Sequence, residues 1–162
     1  MTVDLTPEQP LPDPPAVRIA PPLYFLAAVG LGLVLGRGTP SKTLKTMCAQ
    51  VSGGCCLAAS AAIVLAAGYE MRRVNTGAKP PRPGSNLATG GIYGYTRNPM
   101  YVSLAVASIG IAMWQRSIPA LTFVPIALAR LETDVVDNEE RYLEQRFGAT
   151  YHAYRNRVPR WF

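Results

Sequence analysis

Four stretches of this chain carry no Asp, Glu, Lys or Arg, and they decide most of what it can fold into: Ile19 to Gly36, Met47 to Tyr69, Met100 to Gln115 and Ser117 to Ala129. An apolar helix needs roughly 20 residues to cross a bilayer, with about 17 as a lower limit. The first two stretches clear that limit, and the last two are short and joined at Arg116. A soluble four-helix bundle would put polar residues on one face of each helix at the 3.6-residue period. None of the four does so. "CCLAASAAIVLAAGY" and "YVSLAVASIGIAMW" are apolar all round apart from small Ser, Gly and Ala, which suit helix packing in lipid. The expected fold class is therefore all-α, a polytopic membrane helical bundle of about four transmembrane helices near 19–36, 47–69, 100–115 and 117–131. The last two form a short hairpin around "QRSIP", with Pro119 in the first turn of its second arm.

The basic residues orient the bundle. With both termini on one side, Arg18, Arg72, Arg73, Lys79, Arg82, Arg97 and six arginines from Arg130 to Arg160 share that side, while Arg37, Lys42, Lys45 and Arg116 face the other. This asymmetry predicts cytoplasmic termini, as in a bacterial inner-membrane protein. The net charge of +6 then reflects topology and contact with anionic lipid, not nucleic-acid binding. Residues 1–17, rich in proline and without the basic start or apolar core of a signal peptide, read as a disordered tail, leaving 18–162 as a single domain. Cys48, Cys55 and Cys56 show no metal-ligand or disulfide spacing, and the lone His152 has no partner ligands, so no metal is expected.

Chemistry must reside in the two cytoplasmic pieces. The loop 71–99 is rich in Pro and Gly, yet holds Leu87, Ile92, Tyr93 and Tyr95, more apolar surface than a free linker carries. It is expected to fold down against the membrane or the tail. In the tail 132–162, Val135, Val136, Glu139, Tyr142, Leu143, Arg146 and Phe147 follow helical spacing, Gly148 supplies a stop, and Tyr151 and Tyr154 share a side of a further turn. Trp161 and Phe162 read as interfacial anchors. Adjacent glutamates on a helix point about 100° apart, so one of Glu139 and Glu140 faces inward while the other faces water. Residue chemistry alone favours both being solvated or paired with Arg141 and Arg146; a buried carboxylate beside a basic loop would instead suit a cationic ligand group.

"GGIYGYTRNPMY", then an apolar hairpin, then "EERYLEQRFGATYHAYRNRVPRW" resembles the membrane-embedded isoprenylcysteine carboxyl methyltransferase family, which is related to phospholipid N-methyltransferases. The resemblance implies S-adenosylmethionine as donor, held on the cytoplasmic side between the Arg-Asn-Pro corner and the tail. It further implies a lipophilic or lipid acceptor and in-line transfer without an enzyme nucleophile. Donor chemistry then assigns Arg97 to the carboxylate and Glu139 or Glu140 to the ammonium, with Arg97 and Glu140 as the catalytic pair. Tyr93, Tyr101, Tyr151 and Tyr154 are assigned to adenine packing or to a cation–π contact with the sulfonium. Asn98 and Pro99 expose backbone groups at a helix start. Two positions depart from the pattern of prenylcysteine-acting members: Asn98 stands where they carry histidine, and Val135 where they carry an arginine. The rival readings are an NADPH-dependent sterol-type membrane reductase and a non-enzymatic membrane scaffold.

Overall fold

The structure, a computed structural model, describes residues 19–37, 46–75 and 87–161. The proline-rich tail, Lys42, Lys45, Lys79, Arg82 and Phe162 lie outside them. Among the described residues every regular element is helical: α1 (Pro21–Leu35), α2 (Thr46–Asn75), a 3₁₀ turn (Gly91–Gly94), α3 (Pro99–Trp114), α4 (Ile118–Leu131), a π turn (Glu132–Val136), α5 (Asp137–Phe147) and α6 (Ala149–Arg157).

Prolines begin three of these helices. Pro21, Pro99 and Pro119 occupy first-turn positions of α1, α3 and α4, where a missing N–H costs nothing and the fixed φ suits the helix. Ser117 caps α4, its Oγ accepting from the Ala120 N–H at 3.2 Å while donating to the Gly32 carbonyl of α1 at 3.1 Å. At 1.5 Å per residue α2 is ~45 Å long, whereas α1, α3 and α4 reach only ~21–24 Å. Thr46–Val74 is the one described helix long and apolar enough to cross a membrane by length and composition, and only 17% of its most apolar window is buried inside the protein. A soluble core helix would be mostly buried. Leu65 of α2 and Leu26 of α1 stand 72% and 65% exposed, so the apolar faces turn outward as lipid-facing surfaces do.

Helices pair as α2 with α3 and α1 with α4, and α3 also touches α1 and α4. Both pairs depend on missing side chains. A Cβ on Gly53 would lie 2.8 Å from the Gly110 carbonyl oxygen, and one on Gly32 would lie 2.3 Å from the Ala120 Cα. Backbones thus meet directly, the close packing that substitutes for a hydrophobic drive in lipid. Ser60 donates across the first pair to the Ser103 carbonyl at 2.8 Å.

The main apolar core lies between α1 and α4 and continues into the π turn: Phe25, Ala28, Val124, Ala127, Leu131, Val135 and Val136. The periodicity of the tail predicts one regular helix from Val135, and here the structure differs. The wider π turn shifts the register, so that Val135 and Val136 both reach the core while Glu139 and Glu140 turn toward the loop. Trp161 packs partly buried against this core. The described part of the loop, residues 87–99, folds down as expected, with Ile92 and Tyr93 against Ala67 and Val74 of α2 and Leu87 against Tyr151, Tyr154 and Val158 of the tail. Tyr95 is the exception and points outward, 75% exposed.

Candidate functional site

Asn98 precedes a proline and is held out of the α region, at φ −125° and ψ 51°. The chain therefore turns sharply before α3, and the end of the chain is stitched onto that turn. Arg97 N–H donates to the Pro159 carbonyl at 3.1 Å. Thr96 Oγ1 and Asn98 Nδ2 both donate to the Arg160 carbonyl, at 2.8 and 3.3 Å. Tyr154 OH donates to the Tyr93 carbonyl at 2.7 Å. The Asn98 amide thus helps to hold the tail.

Inside this stitched corner lies a buried charge network centred on Glu140, which is 6% exposed. Arg97 Nη1 approaches Glu140 Oε1 at 3.0 Å and donates to Tyr151 OH at 3.1 Å. From the other side Arg160 forks onto both carboxylate oxygens, Nε to Oε1 at 3.1 Å and Nη2 to Oε2 at 2.7 Å. Its remaining N–H groups reach Glu132 at 2.6 Å and Asp137 at 3.0 Å. The hydrogen bond to Glu140 holds the Arg160 guanidinium even more firmly protonated than usual. Two cations face three carboxylates, and the excess is negative. Paired, hydrogen-bonded charges of this kind tolerate burial, whereas isolated ones do not.

Glu139 behaves differently. It accepts a hydrogen bond from Tyr101 OH at 2.7 Å, and burial pushes its carboxyl above the usual carboxylate range. The reading of both glutamates as solvated or paired with Arg141 and Arg146 does not hold: Glu140 is buried and Glu139 half-buried, and neither meets those two arginines. Arg141 instead bonds the Asp137 carbonyl and Asn138 Oδ1, and Arg146 lies over the Tyr142 and Phe147 rings. Tyr93, Tyr151 and Tyr154 are buried, and burial raises the pKa of all three phenols, keeping them neutral. The Tyr151 and Tyr154 rings meet edge to face at 6.2 Å.

The site's core therefore joins a corner ending at Pro99 to a tail beginning at the π turn, and a family model described as phospholipid methyltransferase matches residues 48–150. The chain belongs to the phospholipid methyltransferase family. A curated relative, the protein-S-isoprenylcysteine O-methyltransferase of Schizosaccharomyces pombe, is 33% identical over 73 residues, 45% of this chain and 31% of that protein. The chain thus aligns with about a third of that relative's length. No solved structure matches. The family match takes in α2 from Cys48 onward, the Arg97 corner and both glutamates, and ends before Tyr151, Tyr154 and Arg160.

Three contributors escaped the sequence reading. Arg160 and Thr96 carry no local spacing signal, since their partners lie far away in the chain. Glu70 did carry one: it is the sole carboxylate between Ile19 and Leu131. It lies at the end of α2, only 5% exposed, against Gly90 and Gly91. Among the described residues, two buried side-chain polar atoms lack a hydrogen-bond partner: Glu70 Oε2 and Arg97 Nε. Buried polar groups are nearly always satisfied, so each exception asks for a partner.

Proposed function

We propose that this chain is an integral membrane methyltransferase that spans the bilayer four times with cytoplasmic termini and moves a methyl group from S-adenosylmethionine to a lipophilic acceptor. The reading is carried by one observation: the buried guanidinium of Arg97 is fixed by Glu140 and Tyr151 yet keeps Nε unpartnered. A positioned, desolvated donor with no acceptor suits the donor's carboxylate. The residues fit the rest of the molecule as well. Glu140 is consumed by two arginines, which leaves Glu139, bonded among the described residues to the Tyr101 phenol alone, as the carboxylate for the ammonium. Tyr93, Tyr151 and Tyr154 offer neutral rings to the adenine and the sulfonium.

Glu140 acts through Arg97, holding its fork in place. Tyr101 stands where the polar network meets the apolar core, beside Leu104 and Ala105 of α3, and so borders the acceptor's route from the membrane. When bound, the donor supplies an electrophilic methyl whose S–C bonding pair stays on sulfur as the acceptor's lone pair forms the new bond. The protein's part is alignment and exclusion of water, worth on the order of 7–11 kcal/mol in favourable cases. Purified protein incubated with labelled S-adenosylmethionine and a total lipid extract should label a lipid-soluble product. Stabilisation by NADPH and not by S-adenosylhomocysteine would sink this reading in favour of a reductase.

A further inference from the structure

Glu70 is used by nothing described so far. Its carboxylate lies beneath the Gly90–Gly91 peptide, where a Cβ on Gly91 would meet Oε1 at 2.5 Å and Cγ at 2.6 Å. Gly91 also has a φ of +55°, a conformation that L side chains rarely adopt. Backbone and missing side chain thus combine to admit a carboxylate at this point. Among the described residues its ion-pair partner is Arg73, at 3.4 Å from Oε2, and that side chain is 63% exposed, so the pair offsets little of the cost of burial. An acid held in this way, at the start of the turn that leads to Tyr93 and Arg97, is poorly explained as a device for stability.

We infer that Glu70 and the Gly90–Gly91 backbone form the subsite for the ribose diol of the adenosyl donor. This rests on the donor reading above. The two buried atoms without a hydrogen bond are of opposite kind and lie at opposite ends of one short segment, the acceptor Glu70 Oε2 beside Gly90 and the donor Arg97 Nε at its close. A ligand stretched along that segment meets an anion-seeking group at one end and a donor-seeking group at the other. An adenosyl amino acid carries its carboxylate and its vicinal hydroxyls at separated places, and each hydroxyl can donate to a carboxylate. A diol suits Glu70 better than an ammonium does, because Arg73 already supplies positive charge beside Oε2 and a second cation would repel it.

The test is a calorimetric titration of detergent-solubilised full-length protein with S-adenosylhomocysteine and with its 2′-deoxyribose analogue, in wild type, Glu70→Ala and Glu70→Gln. Wild type should prefer the ribose form on the order of tenfold, the scale of a hydrogen bond to a charged group. Glu70→Ala should lose that preference while still binding the deoxy analogue as wild type does, and Glu70→Gln should fall between. Without ligand, both variants should be at least as stable as wild type, since a buried carboxylate without a hydrogen bond is removed. Undiminished ribose preference in Glu70→Ala, or a loss of apo stability in both variants, overturns the subsite. Absence of any binding to wild type would overturn the donor reading and the subsite with it, whereas binding indifferent to Glu70 overturns the subsite alone.

Discussion

Arg160→Met removes the cation that ties the chain's end to the charge network, and its cost can be worked from the geometry. Glu140, with a side chain 8% exposed, loses a bidentate partner at 3.1 and 2.7 Å but keeps Arg97 at 3.0 Å. Stripping a buried carboxylate of all its partners costs about 3–5 kcal/mol. With Arg97 retained, and Arg160 itself 26% exposed, about 2 kcal/mol is reasonable for this contact. Glu132 and Asp137 are 36% and 43% exposed, so their pairs add less than about 1 kcal/mol each. The side-chain hydrogen bonds from Thr96 and Asn98 to the Arg160 carbonyl survive the substitution. The expected loss is therefore about 3 kcal/mol, read as a shift in the denaturant midpoint of the purified protein. Arg160→Lys should recover only part of it, because an ammonium cannot reproduce the fork. The decisive measurement is the double-mutant cycle with Glu140→Gln. Residues in one network should show a coupling of about 1–3 kcal/mol. Additive losses would refute the claim that Arg160 and Glu140 act as a unit.

Two further outcomes follow from the same structure. Burial raises the Glu139 carboxyl above its unfolded value, so its contribution to stability is fully present below the ordinary carboxylate range and is lost as pH rises through the raised value; Glu139→Gln should flatten that part of the stability profile, and donor affinity should climb with pH over the same window in wild type only. Gly53→Ala would drive a methyl to 2.8 Å from the Gly110 carbonyl; forcing α2 from α3 should cost about 1–3 kcal/mol in unfolding measurements, and an unchanged midpoint would show that the helices separate freely.

Much of the architecture was legible because it depends on local rules. The charge-free stretches, the prolines at 99 and 119, and the glycine stop at 148 act through hydrogen-bond geometry and solvation within a few residues. The family's paired motifs were likewise legible in order, from the Arg-Asn-Pro corner to Glu139 and Glu140. Their roles were not, because two neighbouring glutamates are chemically identical until something is placed beside each. The π turn decided that, shifting register so that Glu140 meets Arg97 and Arg160 while Glu139 meets Tyr101.

By itself, then, the sequence determined that this chain is an apolar helical protein whose charged residues gather outside its apolar stretches. Burial of apolar residues and helix punctuation are short-range matters. Only the tertiary structure decided which charges neutralise each other and which remain available. Arg160 lies 63 residues beyond Arg97 in the chain, yet shares its carboxylate, and Glu70 is defined by glycines twenty residues on. Electrostatic pairing depends on distance in space, and no spacing along the chain encodes it.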